Sequence, residues 1–328
     1  MPRPLLSVED LSISFTTENK LRREITAVEG VSFNVMEEEV VGVVGESGCG
    51  KTLTALSIMR LLPANTSFSG RVFFQGVDIF SKKESELRDI RGRYISMVFQ
   101  EPMTSLNPVF TAGYQIAEVL MAHKNMGKKE AMNEAVELLR AVKISSPETR
   151  VKEYPHQMSG GMRQRVMIAM AIACKPSLVI ADEPTTALDV TIQAQILELL
   201  DNLRKDSRMS LLLITHDLGV IAEWAKKVEI MYAGRIVEEA PVREIFLNPR
   251  HPYTIGLLES LPKKKGEKLT PIPGQVPRLS DLPAGCKFSP RCRYAIKECN
   301  LKEPELAAVN DKEGFSGHLS RCIRAKEL

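Results

Sequence analysis

The chain has 328 residues, 44% of them apolar, with a formal net charge of +3. That is enough for one large domain or two modest ones, and a near-neutral balance gives no support for a broad nucleic-acid footprint. No stretch approaches the roughly 20 apolar residues that span a bilayer. Glu9 and Asp10 arrive too early for a secretory signal, so a cytosolic protein that docks onto membrane partners is expected.

Residues 1–247 alternate apolar strands with amphipathic helices, the pattern of an α/β fold with a largely parallel sheet. Val40-Val41-Gly42-Val43-Val44 reads as a strand buried on both faces. It runs into Gly45-Glu46-Ser47-Gly48-Cys49-Gly50-Lys51-Thr52, followed by Leu53 and an apolar helical stretch. Strand, glycine-rich loop and helix in this order form a phosphate loop. Its glycines turn backbone N–H groups toward phosphate, and the helix adds its positive end. Lys51 is expected on the terminal phosphates and the Thr52 hydroxyl on Mg²⁺. Cys49 contributes its backbone, and a redox-sensing thiol there is a further expectation.

Residues 113–158 lack strand runs, and Met132, Val136, Leu139 and Val142 recur at helical spacing. They predict a helical subdomain inserted into the core. Met158-Ser159-Gly160-Gly161 opens the next helix. Leu178-Val179-Ile180-Ala181 then predicts a strand ending at Asp182-Glu183. Asp182 suits Mg²⁺, directly or through water, and Glu183 suits a general base that polarises water. A helix begun near Thr191 carries Ile192, Ile196, Leu199, Leu200 and Leu203 on one packing stripe. Leu211-Leu212-Leu213-Ile214 is a third buried strand, ending at Thr215-His216. In open α/β sheets ligands bind at such carboxyl ends.

Composition shifts after about residue 247. Nine of the 19 prolines and four of the six cysteines lie in the last 81 residues. The basic run Lys263-Lys264-Lys265 reads as a solvated linker. Cys286, Cys292, Cys299 and Cys322 are separated by 5, 6 and 22 residues. Clustered cysteines in a cytosolic chain favour metal over disulfides. Without paired Cys-x-x-Cys knuckles, an iron–sulfur cluster suits them at least as well as zinc. His318 is a second candidate ligand.

The order Gly-Lys-Thr, Gln, Ser-Gly-Gly, Asp-Glu and His resembles the ATPase subunits of ABC transporters, over essentially the whole chain. The resemblance implies a P-loop NTPase core over 1–247 with a helical subdomain at about 101–175. It also implies a small irregular cysteine-containing extension over 248–328. It places Gln100 on Mg²⁺ and the attacking water, His216 on the γ-phosphate, and Phe15 against adenine. Ser159, Gly160 and Gly161 would cap the ATP held by a second ATPase subunit, and Ala187-Leu188-Asp189 resembles the loop that crosses that interface. Phe99-Gln100-Glu101-Pro102-Met103-Thr104-Ser105-Leu106-Asn107-Pro108, Asp182–Thr191 and His251-Pro252-Tyr253-Thr254 resemble the oligopeptide, dipeptide and nickel importer group. Met158 and Met162 replace the usual Leu and Gln around Ser-Gly-Gly. With Arg163-Gln164-Arg165 they look like the D-type subunit of dipeptide systems.

Membership implies MgATP hydrolysis at the cytoplasmic face of the membrane. The implied partners are a non-identical ATPase subunit, two transmembrane permeases and, indirectly, an extracytoplasmic substrate-binding protein. Gly285-Cys286-Lys287-Phe288-Ser289-Pro290-Arg291-Cys292 resembles the tail of peptide-importer ATPases, which implies [4Fe–4S]. Uptake of dipeptides or oligopeptides is the leading expectation, and nickel or another small solute the runner-up. A soluble ABC ATPase acting on DNA or ribosomes would need coiled-coil insertions or tandem ATPase domains, which the sequence lacks. A non-hydrolysing regulatory subunit fits poorly with Lys51, Glu183 and His216 together.

Overall fold

A computed structural model describes residues 3–16, 24–186, 188–261, 271–309 and 317–328. Lys263-Lys264-Lys265 and Ala187 lie outside the described residues. The chain divides into two compact units, one of residues 1–35, 40–80 and 215–328, the other of 36–39 and 81–214.

The first unit opens with β1 (Leu6–Thr16), β2 (Glu24–Val35), β3 (Val40–Val44), α1 (Lys51–Ile58), β4 (Thr66–Phe74) and β5 (Val77–Asp78). Strands β2, β1, β4 and β5 form an antiparallel sheet in that order. Alternate residues of β1, including Leu6, Val8, Leu11 and Ile13, are buried, as expected of a sheet with one covered face.

The second unit carries α2 (Glu84–Ile90), β6 (Ile95–Val98), α3 (Pro102–Ser105), α4 (Ala112–Lys124), α5 (Lys128–Ala141), α6 (Pro147–Arg150), α7 (Gly160–Ile172), β7 (Leu178–Asp182), α8 (Val190–Ser207) and β8 (Ser210–Thr215), whose last residue falls in the first unit. Strands β6, β7 and β8 are parallel, and all their residues are buried. Continuous Val/Ile/Leu runs are what a parallel sheet covered on both faces requires. Helices α3, α4, α5 and α8 all touch α7.

One stripe holds at Leu139 and Val142 and is displaced by a residue ahead of them. On α5 the buried residues are Ala131, Ala135 and Leu139, while Met132 and Val136 are only half-buried. Alanines let neighbouring helices approach closely, so the smallest apolar residues take the most crowded positions. On α8 the burial of Ile196, Leu199 and Leu200 follows the expected stripe.

The chain then returns to the first unit with α9 (Leu218–Trp224), β9 (Lys227–Tyr232), β10 (Arg235–Pro241), α10 (Val242–Leu247), α11 (Pro252–Glu259), β11 (Ala307–Ala308) and β12 (Leu319–Ser320). Strand β3 pairs in parallel with β9, and β9 antiparallel with β10. β10 then receives β12, which pairs with β11. The cysteine-rich tail is thus stitched into this unit as sheet edge, with Glu238 opposite Ser320. Buried charges fasten it further. Both Glu238 carboxylate oxygens accept backbone N–H groups, one from Arg250 at 2.5 Å and one from His251 at 3.1 Å. Its Oε1 also lies 2.7 Å from Nε2 of His318.

His251 caps α11 through Nδ1, which accepts the Tyr253 N–H at 3.1 Å. Burial, reinforced by the positive charge of Arg321, pushes its pKa down from 6.5 to about 3. The folded chain therefore keeps this imidazole neutral, while the unfolded chain protonates it near pH 6.5. Its stabilising contribution is complete above that pH and is lost as pH falls from 6.5 toward 3, at up to about 1.4 kcal/mol per pH unit. His251→Asn retains a capping acceptor without a titrating group. Its melting temperature should fall less steeply than the parent's between pH 6.5 and about 5; equal slopes would contradict this.

Candidate nucleotide site

The phosphate loop leaves β3 at Gly45 and enters α1 at Lys51. Two of its glycines are dictated by geometry. A Cβ on Gly45 would stand 2.1 Å from the Met231 carbonyl oxygen and 2.7 Å from Cys49 Sγ. Gly48 has φ +79°, with open space around it. Lys51 is buried, and its ammonium donates to the carbonyls of Gly45 at 2.7 Å and Glu46 at 3.1 Å. The ammonium thus lies within the curve of the loop. Ser47 and Gly48 at the crest, and Thr52 in the first turn of α1, are exposed. Leu53 is half-buried behind them. The loop is closed by Cys49 N–H donating to Glu46 O at 3.3 Å, and it is joined to the β9–β10 turn by Gly234 N–H donating to Cys49 O at 3.0 Å.

The Cys49 thiol is 1% exposed, and burial pushes its pKa up. Reactive cysteines are exposed thiolates, so this buried thiol does not suit the expected redox-sensing role.

In the same unit, His216 is exposed directly after β8. The following Asp217 accepts the N–H groups of Gly219 at 2.7 Å and Val220 at 3.4 Å, capping α9. Phe15 lies near the end of β1 opposite Ile25 and Thr66, half-buried.

The second unit gathers the acidic residues. Asp182 closes β7 and is 1% exposed. Glu183 follows with φ +44°, a left-handed conformation that is costly for a non-glycine residue. The backbone is held there by Glu183 N–H donating to Ile214 O at 2.8 Å. Its Oε2 accepts from Gln100 Nε2 at 3.1 Å and from the Thr186 hydroxyl at 2.8 Å. The sequence singles out Gln100 and Glu183 separately, and the structure joins them directly. Thr186 was not singled out, although it stands in the quoted Asp182–Thr191 run. Two neutral donors, the Gln100 amide and the Thr186 hydroxyl, thus converge on one carboxylate oxygen.

Ser159 caps α7, its hydroxyl accepting the Met162 N–H at 3.3 Å. Ser159 is exposed, whereas Met158 beside it is buried. Asp189 caps α8 in the same way, accepting the Ile192 N–H at 3.0 Å. The two turns pack together. A Cβ on Gly161 would lie 3.1 Å from Ile192 Cγ2, and one on Gly160 3.5 Å from Leu188 Cδ2.

The comparisons with known proteins bear on this arrangement. The ABC transporter family profile matches residues 28–186, and the profile of the oligopeptide/dipeptide transporter C-terminal region matches residues 237–299. A putative peptide import ATP-binding protein of Brucella abortus is 52% identical over 99% of this chain and 98% of its own. The chain belongs to the ATP-binding proteins of ABC transporters. The oligopeptide transport ATP-binding protein AppD of Bacillus subtilis is 51% identical, covering 98% of this chain and 97% of its own. OppD of Escherichia coli is 48% identical, covering 98% and 94%. Among solved structures, a dimeric post-hydrolysis state of the ATP-binding cassette MJ0796 bound to ADP and Pi aligns with TM-score 0.64 and 27% identity. It covers 73% of this chain and 99% of that one. As an ABC ATPase, the chain hydrolyses ATP in the service of transport.

The cysteines of this ABC protein fall together. Cys286, Cys292, Cys299 and Cys322 line one pocket with Phe288, Tyr294 and Arg324. His318 is not among its lining residues, since its ring is turned to Glu238. Burial pushes the thiol of Cys286 up to about 12 and that of Cys322 up to about 11. Among the described residues, no three His, Cys, Asp or Glu side chains are grouped so as to hold a metal ion.

Gly45→Ala drives a Cβ into backbone, while Gly48→Ala costs only the left-handed conformation, about 1–2 kcal/mol. Thermal melts should rank Gly45→Ala well below Gly48→Ala, and the reverse order would contradict the loop geometry. Ser159→Ala removes the α7 cap and should lower stability by about 1 kcal/mol.

Proposed function

We propose that this chain binds and hydrolyses MgATP to drive import of di- or oligopeptides through two separate membrane permease subunits, working at the cytoplasmic face. One observation carries the substrate class: relatives named for peptide transport match along the whole chain, and the oligopeptide/dipeptide C-terminal region accompanies the ABC core. Among the described residues no helix is long and apolar enough to cross a membrane, so transport needs other chains. Phe99, Met103, Val109 and Phe110 of the second unit expose apolar side chains close in sequence. Such a patch is suited to burial against a permease.

The roles follow from residue chemistry. Backbone amides of Gly45–Thr52 and the Lys51 ammonium neutralise phosphate charge. Thr52, Gln100 and Asp182 hold Mg²⁺. Glu183 accepts the proton of the attacking water, oriented by Gln100 and Thr186, and His216 steadies the γ-phosphate. Phe15 stacks on adenine. The Ser159-Gly160-Gly161 turn, with Ser159 exposed and the glycines braced by Leu188 and Ile192 at the Asp189 turn, presents a helix N-terminus to the ATP of a second, non-identical ATPase subunit. Glu183→Gln should keep ATP affinity and lower hydrolysis by about 100-fold or more; unchanged hydrolysis in the assembled transporter would defeat this assignment.

The four-cysteine pocket is best read as the seat of a [4Fe–4S] cluster. Support comes from the thiols lining one pocket. Buried neutral thiols also need a cationic group before they can ionise. Such a cluster would supply cross-links that the pocket's thin apolar lining cannot. Anaerobically purified chain should contain about four irons and absorb visible light, and Cys286→Ser should lose both. Colourless, iron-free protein would overturn the reading.

A further inference from the structure

Glu46 has an unusual set of partners for a residue inside a phosphate loop. Its backbone N–H donates to the Tyr253 hydroxyl at 2.9 Å, and Tyr253 is fully buried on α11. Its carbonyl accepts from Lys51. Its carboxylate takes a two-pronged contact from Arg291, Nη1 to Oε2 at 2.7 Å and Nη2 to Oε1 at 3.1 Å. The Arg291 side chain is 5% exposed, against 31% for Glu46. Bidentate arginine–carboxylate pairs fix orientation as well as distance, and an arginine this buried is costly if its partner is removed.

Arg291 belongs to the short turn between Cys286 and Cys292, and that turn is anchored throughout. Lys287 donates to Glu29 at 2.7 Å and to the Ala233 carbonyl at 3.2 Å. Phe288 packs against Tyr232 and Tyr253, with ring centroids 5.2 and 5.4 Å away. Arg291 Nε donates to the Pro273 carbonyl at 2.9 Å, and its guanidinium lies over the Tyr232 ring. Cys286 and Cys292, at either end, face the cysteine pocket. A displacement of either cysteine therefore has a short, stiff path to Glu46.

We propose that Arg291 is a positioning residue for nucleotide binding, and that through its pairing with Glu46 the condition of the cysteine pocket sets the affinity of the phosphate loop for MgATP. Ordered, the pocket holds Arg291 against Glu46 and the loop in its anion-accepting curve. Disordered by loss or oxidation of its cysteines, it releases the loop. Chains that have lost their pocket then stop engaging ATP instead of consuming it. The inference rests on the reading of Gly45–Thr52 as the ATP site.

The test is MgATP titration of the full-length chain, with melting curves recorded alongside. Arg291→Ala and Glu46→Gln should each weaken ATP binding about tenfold, equivalent to about 1.4 kcal/mol. The double variant should be no weaker than the worse single one. Arg291→Lys, which keeps the charge but not the fork, should recover part of the loss. Cys292→Ser should weaken binding in the parent and add nothing in the Glu46→Gln background. Parent-like affinity in Arg291→Ala, additive losses in the double variant, or an equal effect of Cys292→Ser in both backgrounds would overturn the proposal. A parent chain that binds no MgATP would instead defeat the reading of the site itself.

Discussion

The demand that a short backbone loop curve around a polyphosphate governs this unit. Amide groups turn inward only where side chains are absent, and at Gly45 the Met231 carbonyl leaves no room for a Cβ. The curve is unstable alone, because it gathers polar backbone in one place, so it is tied down from several sides. Lys51 holds the Gly45 and Glu46 carbonyls, Gly234 holds Cys49, and Tyr253 and Arg291 hold Glu46. Two of these ties come from residues after 247. The extension that looked like an appendage in composition acts in the structure as a brace for the loop.

The second unit solves a related problem with helix ends. Ser159 and Asp189 each spend a side chain on satisfying a backbone N–H at the start of a helix, which leaves neighbouring amides facing outward. The glycines of the Ser-Gly-Gly turn also permit its close packing on Leu188 and Ile192. The turn is thereby fixed by its own neighbours. Glu183 is held similarly, by a left-handed backbone and donors from Gln100 and Thr186.

Much of this was legible in the sequence because its signals are local. The runs Val40–Val44, Leu178–Ala181 and Leu211–Ile214 became β3, β7 and β8 with ends shifted by at most a residue. The phosphate loop, the Asp-Glu step and the Ser-Gly-Gly cap each have a fixed spacing tied to one chemical task. What stayed hidden depends on distant pairing. Arg291 and Glu46 are 245 positions apart, and no periodicity links them. Glu238 sits on a strand and is fully buried, against the ordinary expectation for a carboxylate, because the Arg250 and His251 N–H groups and the His318 ring receive it. On α5 the expected stripe holds at Leu139 but passes over Ala131 and Ala135, since alanine carries little signal in a pattern built on large side chains. Thr186 stood in view but needed the Glu183 geometry to acquire a role.

The chain carries the phosphate loop of an ABC ATPase, a Glu183 carboxylate met by Gln100 and Thr186, and a Ser-Gly-Gly turn at the head of α7; on the proposed reading these are half of a catalytic machine. The most direct test is single-turnover hydrolysis of prebound MgATP, by the purified chain alone and then by the chain assembled with its permeases and second ATPase subunit. The account predicts that the isolated chain retains ATP largely intact and that hydrolysis appears on assembly. Hydrolysis by the isolated chain at the assembled rate would contradict it.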